Sequence, residues 1–234
     1  MTTFVLVHGA WHGGWCWVRV AERLRAAGHT VYTPTLTGLA DRAHLMSPTI
    51  SLTTHIKDVV GLLDWEDLTD VVLVGHSYGG VVISGAADRA ADRVKSLLFL
   101  DALVPGHGQS AMDLRRPEQN EAAFAAARAK GAGWRIPPTT AASFMVNEAD
   151  RDWVDGKCTD LPLACFTEPL YLSGALDAIR TRVYIRAAGY PAPQFDAMLE
   201  TFRERDFDTY AVDCGHDVMV DAPDELTEIL LKYA

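Results

Sequence analysis

The sequence lacks the features that mark several large classes of protein. Its 234 residues contain no run of basic side chains, and the net charge is −10. Binding to nucleic acid draws its affinity from clustered Lys and Arg, so a nucleic-acid partner is excluded. No apolar stretch approaches the length of a membrane span, and residues 1–3 lead into a predicted core strand without the apolar region of a secretory signal. We therefore expect no membrane partner.

Cysteine is scarce, and the glycines do not follow a phosphate-binding pattern. The four cysteines (Cys16, Cys158, Cys165 and Cys214) show neither C-x-x-C spacing nor clustered histidines nearby. A zinc site or a disulfide framework is not expected, and a reducing, cytoplasmic location fits best. Neither G-x-x-x-x-G-K-[ST] nor G-x-G-x-x-G behind the first strand occurs. The sequence therefore predicts no metal and no cofactor.

Short apolar runs alternate with helix-like segments through most of the chain. A length of 234 residues with 49% hydrophobic residues fits one domain with an insertion better than two domains. Predicted strands lie at 3–7, 30–32, 71–74, 96–100, 182–185 and 209–212, and predicted helices at 15–27, 52–63, 80–87, 193–204 and 223–233. This alternation is typical of the α/β class, in which helices cover both faces of a parallel sheet.

The alternation is broken once, between residues 102 and 181, where no convincing strand is found. Helices are predicted at 119–130 and 147–154, and the segment 134–138 (WRIPP) separates them. We interpret residues 1–101 and 182–234 as the core and 102–181 as a cap inserted over the sheet. The cap supplies five aromatic candidates for a pocket wall: Trp134, Phe144, Trp153, Phe166 and Tyr171.

The strongest chemical signal is the pentapeptide G-H-S-Y-G at residues 75–79, directly behind an apolar strand and ahead of a helix start. A serine on such a strand-to-helix turn adopts a strained backbone and needs small neighbours such as Gly75 and Gly79. Its hydroxyl then projects above the sheet as a nucleophile. Near the carboxyl terminus, a second predicted strand leads through Cys214 and Gly215 to His216. We therefore take Ser77 as a nucleophile and His216 as its base.

Three motifs together resemble one family: HGAWHGGW at 8–15, GHSYGG at 75–80, and Gly215-His216. The chain is similar over nearly its whole length to the plant methylesterase and hydroxynitrile lyase group of α/β-hydrolases and to its bacterial esterase relatives. The resemblance implies the α/β-hydrolase fold, with about six mainly parallel strands, helices on both faces and a mainly helical cap. It also implies an oxyanion hole formed by the backbone N–H groups of Ala10 and Tyr78. Gly9, Trp134 and Phe144 are the expected substrate-binding positions.

Three positions separate the two branches of this family. The lyases that the chain resembles carry threonine at the position of Gly9, a residue other than histidine at His76, and lysine at Asp217. A lysine would stabilise departing cyanide, whereas a carboxylate facing it would repel it. The resemblance therefore favours the esterase branch.

The acid of the expected triad is the point of departure. In the plant enzymes an aspartate follows the penultimate strand, but residues 186–191 (RAAGYP) contain no carboxylate. Asp101 directly follows the strand at 96–100, and some α/β-hydrolases place their acid there, so we take Asp101 as the acid; the alternative is that it caps the following turn. Asp213 and Asp217 are alternatives, although both are close in sequence to His216. Asp196 is interpreted as an exposed helix residue.

These observations predict a serine carboxylesterase acting on small, largely apolar esters, with an aryl or methyl part, through an acyl-enzyme. Its partner is a small-molecule ester, and a homodimer is left open. Two alternatives remain on the same fold. One is a carbon–carbon lyase of the hydroxynitrile type, and the other is a slow-turnover ligand receptor, which the missing acid would allow.

Overall fold

The computed structural model describes all 234 residues and contains one central sheet of six parallel strands. The strands are β1 (Thr3–Val7), β2 (Thr30–Tyr32), β3 (Val71–His76), β4 (Val94–Leu100), β7 (Thr181–Ala187) and β8 (Asp208–Val212). Their order across the sheet is β2-β1-β3-β4-β7-β8. The predicted six-stranded parallel sheet is confirmed, and β3, β4 and β7 extend further than the apolar runs indicated.

Successive side chains of each strand enter two different layers, because the side chains of a strand alternate between the two faces of a sheet. On one face, Val5 and Leu73 pack with α2 (Leu52–Trp65), α3 (Gly79–Arg89) and α7 (Pro193–Glu204). On the other face, Phe4 and Leu6 pack with α1 (Val18–Ala26) and α9 (Pro223–Leu231), and a short helix α8 (Val218–Asp221) precedes α9. Helices therefore cover both faces, as expected for this class.

Residues 102–181 contain short elements between β4 and β7. They are α4 (Pro117–Lys130), β5 (Arg135–Ile136), α5 (Arg151–Asp155), β6 (Leu161–Pro162) and α6 (Ala164–Thr167). The two short strands pair antiparallel, a feature that the sequence did not predict. The predicted helix at 147–154 begins as a 3-10 turn at Glu148–Asp150 and continues as α5.

The side chains of this segment do not form a core of their own. Ala123, Ile136 and Phe166 join the layer that contains Val5. Val154 joins the opposite layer. The segment is therefore packed onto the sheet as part of the same hydrophobic interior, and the predicted domain boundaries stay a prediction. No helix combines the length and the apolar character needed to cross a lipid bilayer.

Candidate active site

Ser77 lies in the sharp turn between β3 and α3, and its backbone adopts the left-handed conformation with φ +53°. The turn is possible only with glycine on both sides. A Cβ atom on Gly75 would lie 2.6 Å from the carbonyl oxygen of Gly79, and one on Gly79 would lie 2.7 Å from that of His8. The strand, the turn and the helix thus approach closely enough to hold Ser77 rigidly at the carboxyl edge of the sheet.

His216 lies in the loop that follows β8, with its backbone N–H donating to the carbonyl oxygen of Phe144 at 2.9 Å. Its imidazole is enclosed by aromatic rings. Phe195 stacks nearly parallel to it at 5.3 Å between ring centroids, and the rings of Tyr190 and Phe144 lie at 4.9 and 5.2 Å. These contacts restrict the imidazole to one orientation. No hydrogen bond joins His216 to Ser77 in the ligand-free protein, and such contacts commonly tighten only when substrate binds.

Asp101 leaves the end of β4 with φ +41° and is fully buried. Its Oδ2 atom lies 2.6 Å from Nδ1 of His216, at the lower limit of the expected range. Its Oδ1 atom accepts from Nη1 of Arg186 at 2.9 Å and from the backbone N–H of Ala187 at 3.1 Å. Because a carboxylate only accepts, Nδ1 of His216 carries the proton and Nε2 is free to face Ser77.

The other three candidate acids do not reach the Nδ1 atom of His216. Asp213 is exposed, and Asp196 is 61% exposed and pairs with Arg186 at 2.9 Å. Asp217 is fully buried, but it turns towards His12. The structure therefore brings together one serine, one histidine and one carboxylate from the ends of β3, β8 and β4.

Ala10 and Tyr78 line the same cavity as Ser77 and His216. Neither of their backbone N–H groups donates a hydrogen bond to any group of the protein. Buried backbone donors are nearly always paired, so two free donors beside a nucleophile are suited to a developing oxyanion. The Gly9–Ala10 peptide is held from behind, because Nδ1 of His8 donates to the carbonyl oxygen of Gly9 at 2.8 Å.

Three buried histidines, His8, His12 and His76, lie beneath this site. His8 accepts from the backbone N–H of Leu36 at 3.0 Å, and burial lowers its pKa to about 3. His76 donates to the backbone oxygen of His216 at 3.0 Å, and burial, with the nearby His216, lowers its pKa well below 6.5. Burial alone would also lower the pKa of His12, but the adjacent Asp217 raises it. The pKa values of His8 and His76 are therefore lowered, whereas that of His12 is raised.

The site opens into a cavity of about 510 Å³ between the sheet edge and residues of the 102–181 segment. Trp11, Leu103, Ile136, Phe144 and Phe166 supply much of its apolar lining. No aspartate or glutamate lines it. The cavity therefore suits a small, largely apolar molecule held by few polar contacts.

Two of the three predicted substrate positions do not line this cavity. Phe144 does, as expected. Trp134 instead packs outside it, with the Arg135 guanidinium 5.3 Å from its ring centre, because the chain turns back there from α4 into β5. Gly9 faces inwards, and a Cβ atom there would lie 2.9 Å from Nδ1 of His76 and 3.0 Å from the Cβ atom of Ser77. Its role is to let the first loop approach the nucleophile.

Trp153 and Tyr171 also lie away from the cavity. The ring of Trp153 packs edge-on against Trp15 at 5.0 Å, and Tyr171 is 65% exposed. Phe166 is the one further cap aromatic that reaches the cavity wall. Aromatic content alone therefore did not separate pocket residues from packing residues.

Several residues of the site were not identified from the sequence. Arg186 supports Asp101, and Tyr190 and Phe195 enclose the imidazole of His216. Arg115 lines the cavity with its guanidinium 4.6 Å from the ring centre of Phe166, and burial lowers its pKa to about 10. Only Arg186 carried a signal, as a charged residue at the end of an apolar strand. No cluster of three or more histidine, cysteine or carboxylate side chains is arranged to hold a metal ion.

Comparison with known proteins gives one consistent result. The model of the alpha/beta hydrolase family matches residues 4–229. A carbendazim hydrolyzing esterase from Nocardioides sp. is 47% identical over 98% of each chain. Methylesterase 10 of Arabidopsis thaliana is 34% identical over 44% of this chain and 38% of its own. An extracellular alpha/beta-hydrolase from a Paenibacillus species, described as a structural and functional homologue of tobacco salicylic acid binding protein 2, superposes with a TM-score of 0.87. It is 25% identical, with 100% of this chain and 99% of that chain covered.

Proposed function

This chain belongs to the alpha/beta hydrolase family and is a carboxylesterase, and we propose that Ser77, His216 and Asp101 form its catalytic triad. The observation that carries this proposal is the buried contact of 2.6 Å between Asp101 and Nδ1 of His216. The strained turn at Ser77 and the free N–H groups of Ala10 and Tyr78 support it. The receptor alternative loses its main reason, since that reason was the missing acid.

In the proposed reaction, Nε2 of His216 takes the proton of Ser77 as the hydroxyl oxygen attacks the ester carbonyl carbon. The carbonyl oxygen becomes an anion and receives hydrogen bonds from the N–H groups of Ala10 and Tyr78. The imidazolium then protonates the leaving alcohol as the C–O bond breaks. Water attacks the acyl-enzyme with the same histidine as base, which releases the carboxylic acid and restores Ser77. Asp101 stabilises the imidazolium and keeps the proton on Nδ1.

The proposed substrates are small, largely apolar esters with an aryl or methyl part. The cavity of about 510 Å³ and its aromatic lining support this size and polarity. The relatives named for carbendazim hydrolysis and as a methylesterase support methyl esters as substrates, with methanol as the leaving alcohol. Methyl benzoate, phenyl acetate and carbendazim are therefore the first substrates to compare.

The lyase alternative is disfavoured, but for a reason that differs from the one the sequence suggested. Asp217 cannot repel cyanide directly, because its carboxylate is buried, pairs with His12 and does not line the cavity. What the cavity lacks is a lysine after His216. The close approach of Gly9 to His76 also leaves no room for the threonine that the lyase branch carries at that position.

One experiment tests the assignment and the alternative together. Wild type and Ser77→Ala are assayed on the ester panel and on mandelonitrile, and intact mass is measured after treatment with an organophosphate. We expect ester hydrolysis and one covalent adduct in wild type, neither in Ser77→Ala, and negligible cyanide release. Ser143→Ala is the matched control for labelling, because Ser143 lines the same cavity and the adduct should persist. An adduct on Ser77→Ala would contradict the nucleophile assignment.

We also propose a cytoplasmic location. All four cysteine thiols are free, and burial raises the pKa of Cys165 well above its usual value and that of Cys214 to about 12. Thiols of this kind are expected in a reducing compartment. Activity in the periplasmic or culture fraction of the source cells, rather than in the cytosolic fraction, would contradict the proposal.

A further inference from the structure

His12 is a buried histidine whose two ring nitrogens both face hydrogen-bond acceptors. Its Nδ1 atom lies 2.7 Å from the backbone oxygen of Ala10, and its Nε2 atom lies 3.0 Å from Oδ2 of Asp217. A backbone carbonyl cannot donate, and an ionised carboxylate cannot donate either. A neutral imidazole has only one N–H, so it could satisfy only one of these two contacts. With Asp217 ionised, as its lowered pKa indicates, both contacts are satisfied only when both ring nitrogens of His12 carry protons.

The pair is removed from solvent, with His12 2% exposed and Asp217 0% exposed. Burial alone would raise the pKa of Asp217, but the charge and the hydrogen bond of His12 bring it well below its usual value. The pKa of His12 moves in the opposite direction, as expected for a buried ion pair. The Trp15 ring stacks on the imidazole of His12, with 5.3 Å between the ring centroids, and covers one face of it.

Other titratable groups also lie near the pair. Nε2 of His76 is 3.8 Å from Oδ1 of Asp217, an oxygen that has no hydrogen bond. Besides His12, the titratable groups that interact with Asp217 are His76, His216, Cys16, Cys158, Tyr190 and Asp221. His8 also interacts with His12. A proton on His12 therefore offsets the negative charge of Asp217, which lies close to His216.

The contact also joins two loops that carry different parts of the proposed machinery. Ala10 belongs to the loop after β1 that supplies an oxyanion donor, and Asp217 directly follows His216 in the loop after β8. These loops are about 200 residues apart in the chain. Trp11 lies between Ala10 and His12 in the first of these loops, and its backbone has φ +66°. A bulky residue rarely adopts this conformation unless its neighbours are fixed.

We propose that His12, held as an imidazolium by Asp217, is a positioning residue that keeps the oxyanion loop in register with His216 and neutralises the second buried carboxylate. This inference rests on the proposed function, because it takes Ala10 as an oxyanion donor. His12 touches neither substrate nor reacting atoms. Its effect passes through the Ala10 carbonyl on one side and through the charge of Asp217 on the other.

The proposal separates two kinetic effects. Loosening Ala10 weakens a contact made only in the transition state, so kcat falls while KM changes little. Loss of the proton on His12 leaves Asp217 unpaired beside His216. An unpaired negative charge favours the protonated imidazole, so the acid limb of the kcat/KM profile moves to higher pH.

The experiment is a double-mutant cycle with His12→Gln, Asp217→Asn and the double variant, measured by methyl benzoate hydrolysis over a pH series. We expect His12→Gln to lose about 10- to 100-fold in kcat, less than removal of an oxyanion donor. KM should stay within about threefold of wild type. The acid limb of the kcat/KM profile should move to higher pH in His12→Gln. The double variant, which has no buried charge at either position, should return the limb towards wild type and lose less than the two single losses multiplied together.

His44→Gln is the matched control, because His44 is exposed and is expected to leave both kcat and the pH profile unchanged. A readout on wild type does not depend on whether variants fold. With ¹⁵N-labelled histidine, the His12 resonances should show protons on both ring nitrogens at pH 8, where an ordinary histidine has lost one. A neutral His12 at that pH would overturn the proposal. So would purely multiplicative losses in the cycle, or a kcat for His12→Gln equal to that of wild type.

Failure of the proposed function can be told apart from failure of this inference. Activity that persists in Ser77→Ala would remove the triad but leave the NMR result as it stands. A neutral His12 in an enzyme that depends on Ser77 would instead remove the positioning role and leave the triad intact.

Discussion

Two fully buried aspartates, Asp101 and Asp217, lie close to His216. They differ in their distance from it along the chain and in the group that each contacts. Asp101 is 115 positions away in sequence, yet its Oδ2 atom contacts Nδ1 of the imidazole at 2.6 Å. Asp217 is the next residue in the chain, yet its carboxylate pairs with His12 at 3.0 Å. Adjacent residues in an irregular segment direct their side chains apart, whereas parallel strands end at one common edge. Closeness in sequence was therefore the poorer guide to the partner of His216.

The two carboxylates also differ in how well they are satisfied. Both oxygens of Asp101 are bonded, one to His216 and the other to Arg186 and the N–H of Ala187. Only one oxygen of Asp217 has a hydrogen bond. A carboxylate fixed from two sides can orient the group that it contacts, whereas one held by a single ion pair chiefly balances charge. We therefore expect loss of Asp101 to affect turnover first.

The largest expected effect is that of Asp101→Asn. The amide cannot hold the proton on Nδ1 of His216, and loss of the corresponding aspartate in a serine protease costs about 10⁴ in turnover. We expect kcat for methyl benzoate to fall about 10²- to 10⁴-fold in a folded protein, as judged by its circular dichroism. Asp213→Asn, at an exposed position near His216 in sequence, is the control and should stay close to wild type. Near-normal turnover in Asp101→Asn would leave only a serine–histidine dyad.

The sheet and the sharp turn that carries Ser77 could be predicted because both depend on local pattern. Strands buried on both faces must be continuous apolar runs, and the G-x-S-x-G turn needs its glycines within the same few residues. Asp101 became a candidate acid through the resemblance, since no carboxylate follows β7 and some α/β-hydrolases place their acid directly after the strand that is β4 here. These inferences need only the order of strands in the chain.

The remaining parts depend on contacts between distant segments, and no local pattern encodes them. The pairing of β5 with β6 joins residues 25 and 27 positions apart, and the His12–Asp217 contact joins residues 205 positions apart. Trp134 and Phe144 have the same apolar character, yet only Phe144 faces the cavity. That difference arises from the turn after α4, which the composition of the cap does not determine.

A smaller effect is expected from Arg186→Gln, which removes one of the two donors to the Oδ1 atom of Asp101. A hydrogen bond to a charged group is worth about 1.5–3 kcal/mol, but the N–H of Ala187 would still hold the same oxygen. We expect kcat to fall about tenfold, equivalent to about 1.4 kcal/mol. Asp196→Asn removes the exposed partner of Arg186 and should change kcat by less than about twofold. If Arg186→Gln kept full turnover, the contact between Arg186 and Asp101 would not be needed for catalysis.

The smallest expected effect is a change in the pH dependence of stability when His8, a buried histidine with a lowered pKa, is replaced. The Asp217–His12 pair should not contribute to that change. Burial lowers the pKa of His8 to about 3, below the value of about 6.5 expected in the unfolded chain. The unfolded state alone therefore takes up this proton as pH falls below 6.5, so stability is complete above pH 6.5 and is lost towards pH 3. Asp217 does not change the free energy of unfolding in the upper part of that pH window, because its lowered pKa keeps it ionised there.

The measurement is urea unfolding at pH 7.5, 6.5 and 5.5. His8→Asn should remove about 1 kcal/mol of the stability that wild type loses between pH 6.5 and 5.5. His107→Asn, at an exposed position, should leave the loss unchanged. If the loss of stability were unchanged in His8→Asn, the prediction would be wrong. His8 would then not be the neutral imidazole that its contact with the N–H of Leu36 requires.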